Sequence, residues 1–262
     1  MRSNRRCGPL PTSTCSWRPT TWTGRLGFWR LHGATRPWAQ RRSGWDRRFA
    51  KSVTMTFGDG IELDVHRMLA DGAHGHRIPL AELFDSAPAH DTDFDIGGVT
   101  LRALRPEHRL LHSAYHLLLG SREPALMNLR DLAVYLNDER LHPQQVVAQV
   151  ERWGGTDVLA MALDLVTDRL AVTPRLWLDW RSAYRLDPTE VELIERHRNE
   201  GSSLGRAKID VARELDGVSD RVAYLSALLW PSRGHLESRG LSRRDMVEPL
   251  MDVFGRRLRR SR

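Results

Sequence analysis

The spacing of apolar residues changes at Pro106, and this change limits the chain to a fold with two unlike halves. Before it, "KSVTMTF" (51–57) and "IELDVHRML" (61–69) alternate apolar and polar residues, which is the period of a strand. The "GDG" between them is a tight-turn signal. After it, "PEHRLLHSAYHLLLGS" places its leucines at helical spacing. The sequence therefore predicts an α+β fold, with strands in the first half followed by an almost wholly helical half.

The helical period continues from Pro106 towards the end of the chain. Pro106 suits the first turn of a helix, and Gly120 is a plausible terminator. Further helices are predicted at about 125–137, 143–153, 156–171, 189–200, 206–215, 219–230 and 243–259. In the first half, the pattern predicts a short helix at 79–87 and a strand–turn–strand unit at 94–104. Residues 172–188 are predicted to form a short helix or a loop.

The first 31 residues do not share the character of the rest. The stretch "PTSTCSWRPTTWTGR" (11–25) has no acidic residue and neither a helical nor a strand period. Residues 1–45 carry nine Arg and no Asp or Glu. We expect residues 1–31 to be an anomalous segment that lacks a defined packed structure, because no agreement between its pattern and a fold is visible.

A change of reading frame would explain this segment. The chain has 38 Arg and only two Lys, which suggests a gene rich in G and C. When residues 11–24 are written in GC-rich codons and shifted by two bases, they give Asp-Val-Asp-Leu-Leu-Val-Ala-Pro-Asp-Asp-Leu-Asp-Arg. That peptide has an apolar strand with two acids and then an amphipathic helix. We therefore interpret residues 11–31 as mistranslated, the alternative being a genuine Arg- and Trp-rich head.

Charge and composition exclude several classes of protein. The net charge of +7 comes from the ends, because residues 46–262 hold 31 basic and 33 acidic residues. Nucleic-acid binding is therefore not expected, although the basic ends leave it open. No apolar stretch is long enough to cross a membrane, and no apolar segment follows the basic start. Two Cys exclude a disulfide framework. A cytoplasmic protein is expected.

Four stretches, in order, carry a resemblance to a known family. They are "IELDVHRML", "ELFDSA…IGGVTLRALRPEHRLLHSAYHLLLGS", "LMNLRDLAVYL" and "DRVAYLSALLWPSRGHL". From about residue 32 onward the chain resembles the uncharacterised nucleotidyltransferase family of the polymerase β superfamily. The resemblance implies that residues 32–105 are an N-terminally truncated nucleotidyltransferase-like α/β domain with a small mixed β-sheet, and that residues 106–262 are an all-helical domain.

The family chemistry is the transfer of a nucleotidyl group from an NTP to a hydroxyl. The superfamily places an Asp-x-Asp pair at the end of one strand and a third acid on a neighbouring strand. Two Mg²⁺ ions about 3.5–4 Å apart would align the attacking hydroxyl and stabilise the leaving pyrophosphate. The resemblance thus implies Mg²⁺ as cofactor and an NTP as partner, while the acceptor remains unknown because the sequence carries no recognisable code for it.

Asp64 is the one catalytic residue that the resemblance assigns to this chain. In "ELDVHR" it matches the third acid, as a metal ligand or a general base, with Glu62 as a further metal ligand on the same strand face. The alternative is an exposed strand carboxylate. The Asp-x-Asp pair and the glycine-rich segment before it are absent as written, although the shifted frame supplies Asp-Val-Asp. We therefore expect an inactive chain; the alternatives are a non-catalytic, partner-binding remnant or a tRNA-targeting toxin.

Other polar residues are weaker candidates for substrate binding. Arg48 and Lys51 precede the first strand and could reach a triphosphate, although strand-entry charges explain them equally well. Asp131 in "NLRDLAVYL" is expected to make a salt bridge or a helix contact, with substrate contact as the alternative. His108, His112 and His116 share one helix face at a spacing that can bind zinc. Without a further ligand motif, we expect that face to be solvated or to line the cleft between the halves.

Overall fold

The computed structural model of the protein describes residues 22–79, 82–83, 93–96, 98–120, 123–172, 175–242 and 244. These residues confirm the α+β fold, with two β-hairpins and a helical second half. The elements in chain order are α1 (Trp22–Leu31), α2 (Trp45–Arg48), β1 (Ser52–Thr56), β2 (Glu62–His66), α3 (Gly72–Arg77), β3 (Asp93–Ile96), β4 (Val99–Arg102), α4 (Pro106–Leu119), α5 (Leu126–Leu136), α6 (Pro143–Arg152), α7 (Thr156–Leu170), a 3₁₀ turn (Arg175–Trp177), α8 (Leu178–Ala183), α9 (Pro188–Arg198), α10 (Glu200–Glu214), α11 (Val218–Leu229) and α12 (Arg233–Arg239).

The first hairpin forms because strand period and turn chemistry agree. β1 and β2 pair antiparallel, and Thr54 lies opposite Asp64. Gly60 closes the turn with a φ of 83°, a conformation that glycine adopts without strain. Val53 and Met55 point to the buried side of β1, where they pack with Ala34. The strand predicted at 61–69 ends at His66, and the strand–turn–strand unit predicted at 94–104 is confirmed as β3 and β4.

The main hydrophobic core surrounds α4. The apolar face that the leucine spacing predicts for this helix is buried, and helices α5, α6, α7 and α9 pack against α4. Trp177 closes one side of the core, and its indole N–H donates to the carbonyl oxygen of Leu136 at 3.2 Å. The largest fully buried side chains of this core are Trp153, Trp177, Tyr115, Leu110, Leu111, Leu117, Leu118, Leu132, Leu136, Leu159 and Leu163.

A second interface joins the beginning of the described chain to its C-terminal helices. Phe49 and Tyr224 are buried together, and the Trp45 ring stacks on Tyr224 with centroids 5.2 Å apart. The Arg42 side chain donates to the carbonyl oxygen of Trp230 at 2.7 Å. The Ala39 amide donates to Ser238 Oγ at 3.1 Å. Contacts therefore cross the boundary that the sequence places between residues 105 and 106.

Helix α3 fastens the first half to α9 and α10 through Arg77. Its guanidinium donates from Nε and Nη2 to the two carboxylate oxygens of Glu214, at 3.0 and 2.9 Å. Nη1 donates to Glu190 at 2.8 Å, and the buried His74 lies 3.0 Å from the same Glu190 oxygen. The hydrogen bond to Glu214 is the main cause that raises the pKa of Arg77. These ion pairs of Arg77 with Glu190 and Glu214, called the Arg77 clamp below, fix the orientation of α3 relative to α9 and α10.

Most helix predictions for the second half are confirmed, three short helices were not predicted, and one expectation is wrong. The helices that were not predicted are α2, a single turn, and α3 and α12, because "GAHGHR" and "RGHLESR" have no apolar period. The expected lack of packed structure is wrong for residues 22–31, which form α1; Leu26 and Trp29 contact the hairpin cluster. Residues 1–21, the helix predicted at 243–259 and most of that at 79–87 lie outside the described residues.

The part of the chain that the structure describes contains no membrane-spanning helix. Every helix there is too short or too polar to cross a bilayer. The predicted absence of a spanning segment holds for these residues.

Candidate functional site

The polar face of the first hairpin carries Asp64. Glu62, Asp64 and His66 are exposed on one side of β2, while Leu63 and Val65 alternate with them and are half-buried. Thr54, directly across the ladder, donates its hydroxyl to Asp64 Oδ1 at 2.6 Å. The bond leaves the carboxylate with free lone pairs, so that it can still accept a proton or ligate a cation.

Electrostatic interactions link His66 to Lys51 and to two histidines of α4. Burial, followed by the charge of Lys51, lowers the pKa of His66. Burial also lowers the pKa of His112 to about 4, with further contributions from His116 and His66. The rings of His112 and His116 are stacked, with centroids 5.9 Å apart. His66, at the end of β2, is thus coupled electrostatically to His112 and His116 of α4.

The shared face predicted for the three α4 histidines is only partly confirmed. His108 is buried, and its ring centroid lies 5.5 Å from that of Trp153, the residue that ends α6. The expectation of a solvated face is thus wrong for His108, because α6 covers the first turn of α4. No zinc site forms here: the described part of the chain has no group of three His, Cys, Asp or Glu able to hold a metal.

A two-metal site does not fit the residues that the structure describes. Such a site needs three carboxylates that converge, because Mg²⁺ prefers oxygen ligands at short distances. The hairpin offers Asp64, with Glu62 two residues away, and among the described residues no third acid joins them. Among the described residues, the donor set therefore supplies the acid that the resemblance assigns to β2 and not the Asp-x-Asp pair.

A pocket of about 350 Å³ lies between the hairpin and the C-terminal helices. It shares Thr54 with the Asp64 face, since Thr54 lines the pocket and donates to that carboxylate. Its walls come from α2, β1 and the chain before them on one side, and from α10, α11 and α12 on the other. The residues that line it are Arg36, Trp38, Ala39, Gln40, Arg41, Trp45, Asp46, Phe49, Ala50, Lys51, Ser52, Val53, Thr54, Asp71, His76, Lys208, Val211, Tyr224, His235 and Arg239.

The structure separates the two cations that the sequence proposed for substrate binding. Lys51 lines the pocket. Arg48 is not among the lining residues: it forms an ion pair with Asp220 of α11 and lies over the ring of Phe49. Asp131 lies away from the pocket and forms an ion pair with its neighbour Arg130, at 2.6 Å, which is the salt bridge that the sequence favoured.

Sequence reasoning missed most of the pocket. Arg41, Lys208 and Tyr224 come together only through tertiary contacts, and none lies near the strand motif in the chain. One signal was available for Lys208, because it and Lys51 are the two lysines in a chain whose other basic residues are all Arg.

The hairpin that carries Asp64 lies beside a pocket with an excess of basic residues. Residues 25–171 match the model of a family described as "Uncharacterised nucleotidyltransferase". This match covers more than half of the chain, so the protein belongs to that family. No curated protein and no solved structure matches the chain. The family match starts at residue 25, inside α1, and ends with α7, so Lys208 and Tyr224 lie beyond it.

Proposed function

We propose that the intact form of this site transfers a nucleotidyl group from an NTP to a hydroxyl acceptor, with Asp64 as one of three catalytic carboxylates. The family match supports the reaction class. The position of Asp64 supports its role, and this observation carries the proposal: it is exposed, bonded to Thr54, and beside a pocket that contains Lys51. Lys51, rather than the ion-paired Arg48, is the cation available to a triphosphate.

We further propose that the chain as written does not catalyse this transfer. In the intact site Mg²⁺ would neutralise the charge of the triphosphate, and three carboxylates would hold the metal pair. Here Asp64 and Glu62 are the acids of that face, and a single strand cannot surround two ions. Weak Mg·NTP binding without transfer is the expected behaviour.

We propose that the Asp-x-Asp pair, absent from the chain as written, is encoded in the shifted reading frame of the N-terminal segment. The family match begins at residue 25, which supports a return to the original frame before that position. We therefore restrict the shifted segment to residues 11–24 rather than 11–31. The codons of the gene test this directly: they must give Asp-Val-Asp when shifted by two bases, and any other peptide removes the proposal.

The activity test compares the chain as written with a repaired chain. In the repaired chain the shifted-frame peptide replaces residues 11–24, preceded by the glycine-rich segment that the gene should encode there. Both are incubated with each of the four α-³²P-labelled NTPs, with Mg²⁺ or with EDTA. We expect Mg²⁺-dependent labelling by the repaired chain alone. Robust labelling by the chain as written would place the active site elsewhere.

Variants of the repaired chain test the role of Asp64. Asp64→Ala should abolish labelling, because Glu62 lies two residues away on the strand and cannot reach the same position. The matched control is Asp59→Ala in the exposed hairpin turn, which keeps its activity although one acceptor bond to the Ile61 amide is lost. Equal activity in the Asp64→Ala and Asp59→Ala chains would show that Asp64 is an exposed strand carboxylate without a catalytic role.

A non-catalytic, partner-binding remnant is the second candidate function. The observation that favours it is the lack of any three-residue metal-binding group among the described residues. If the repaired chain is folded and shows no labelling with any of the four NTPs, this candidate replaces the first.

A further inference from the structure

The two lysines of the chain line one pocket. Lys51 precedes β1 and Lys208 lies on α10, so they are far apart in sequence and are brought together by the fold. Every other basic residue of the chain is Arg. Lysine presents a compact, strongly hydrated charge with three rotatable donors, while arginine presents a rigid fork. The pocket therefore combines both kinds of cation, since Arg41 and Arg239 line it as well.

Four cations of the pocket form no ion pair with any residue that the structure describes, and its two acids are already engaged. Within the described residues, Lys51, Lys208, Arg41 and Arg239 form no ion pair, whereas Asp46 pairs with another lining residue, Arg36. The remaining lining acid, Asp71, accepts from the amide of the next residue at 2.8 Å and so caps α3. The excess charge inside the cavity is positive.

Arg41 supplies the most direct sign of a missing anion. Its Nη1 is buried and has no hydrogen-bond acceptor. Burial is the main cause that lowers the pKa of Arg41, and the nearby charge of Arg239 lowers it further. A buried guanidinium costs free energy when no opposite charge lies beside it, and an anion in the cavity lined by Arg41 would offset that cost.

The neutral groups of the pocket are compatible with the same ligand. Ser52 presents its hydroxyl from β1, whereas the Thr54 hydroxyl already donates to Asp64. The ring of His235 is already engaged, because its Nδ1 donates to the carbonyl oxygen of Ala39 at 2.9 Å. Trp45, stacked on Tyr224, forms an apolar wall. A hydroxyl and mixed cations around one cavity are the donor set of a phosphate site.

We propose that this pocket binds a phosphate group without the help of a metal, either the polyphosphate of an NTP or the phosphate of a phosphorylated acceptor. A volume of about 350 Å³ is sufficient for either group. Because Lys208 and Arg239 lie beyond the family match, the C-terminal helices determine this binding. The proposal goes beyond the transfer reaction, since it needs neither the repaired strand nor Mg²⁺.

The test is calorimetric titration of the full chain, as written, in EDTA. The probes are sodium tripolyphosphate, the four NTPs and two phosphate monoesters, O-phosphoserine and glucose 6-phosphate. We expect tripolyphosphate to bind, with an affinity that falls as salt increases. Lys208→Met and Arg41→Gln should each weaken binding at least tenfold. The matched control is Arg233→Gln, which removes an exposed Arg on α12 outside the pocket and should leave the affinity unchanged.

The probes distinguish the two sources of the phosphate. Binding of tripolyphosphate and NTPs without the monoesters would assign the pocket to the nucleotide; equal binding of the monoesters would assign it to the acceptor. Absence of binding by all probes, or equal weakening by Arg233→Gln, would overturn the proposal. Melting curves of the free variants verify folding. Failure of labelling by the repaired chain leaves this result intact, so the two proposals fail separately.

Discussion

The helical core and the first hairpin differ sharply in how much apolar surface they bury. The core around α4 collects buried side chains from α4 to α7 and from α9, whereas the described hairpin cluster has three buried residues, Ala34, Val53 and Met55. Even the inward residues of β2 are only half-buried. A region with so few buried contacts is expected to open at lower free energy than the core. The strand that carries Asp64 thus lies in the less stable region.

Truncation of the α4 core should have the largest effect on stability. Leu117 is fully buried in this core. Leu117→Ala should lower the free energy of unfolding by about 3–5 kcal/mol, because it removes buried methyl groups and leaves a cavity. Chemical denaturation followed by circular dichroism measures the change. A loss below about 1 kcal/mol would show that the core adjusts freely and would weaken the contrast with the hairpin.

The Arg77 clamp joins the two regions, and its stability contribution should depend on pH. The hydrogen bond from His74, followed by that from Arg77, lowers the pKa of Glu190 from 4.5 to about 2. A lowered pKa means that the stabilisation is complete above about pH 4.5 and is lost as the pH falls towards 2. Glu190→Gln should therefore cost about 2–3 kcal/mol at pH 7 and progressively less below pH 4.5.

The control for that experiment is Glu237→Gln on α12. Glu237 is exposed and pairs with the exposed Arg233, so its loss should change stability by less than about 0.5 kcal/mol. Urea denaturation at pH 7 and at pH 3 provides both measurements. A difference between the wild type and Glu190→Gln that does not shrink in acid would contradict the assignment.

Truncation of the hairpin cluster should have a smaller and more local effect. Met55→Ala should cost about 2 kcal/mol, the lower end for such a change, because the small cluster around it can collapse. Hydrogen exchange should show faster exchange for the β1 and β2 amides while the α4 amides keep their protection. Uniformly faster exchange across α4 would mean that hairpin and core unfold as one unit.

A backbone substitution at the end of α7 should give the smallest effect and the opposite sign. Ala171 has a φ of 52° in the left-handed region, where glycine is favoured. Ala171→Gly should raise the free energy of unfolding by about 0.5–1 kcal/mol. The same change at Ala133, inside α5, should lower it by a similar amount. A thermal shift of the same sign for both variants would contradict this interpretation.

The parts of the fold that the sequence predicted are those whose signal is local. Helix α4 begins at Pro106 and ends before Gly120 as its apolar period indicates, and β1 and β2 follow their alternation. Helix α3 carries two glycines and no apolar period, and it forms because Arg77 binds Glu190 and Glu214 from distant helices. Tertiary contacts of this kind leave no trace in a short window of sequence.

The residues of the candidate site also fall into two groups, those predicted from local sequence patterns and those brought together only by tertiary contacts. The position of Asp64 on a polar strand face followed from the period of two, and Lys51 was proposed from its place before the strand. The burial of His108 could not be predicted, because it depends on the approach of Trp153. Arg41 and Lys208 could not be paired from the sequence, since their proximity requires the folded C-terminal helices.

Residues near the beginning of the described chain bond to residues near its end, so these contacts can form only after most of the chain has been synthesised. The bonds from Arg42 to Trp230 and from Ala39 to Ser238 span 188 and 199 residues. At a synthesis rate of about 5–20 residues per second, the ribosome needs roughly 10–40 s to make the intervening chain. During that interval Trp45 and Phe49 have no Tyr224 to cover them, while the α4 core can already assemble. Among the described residues, the basic pocket is therefore one of the last parts to form during synthesis.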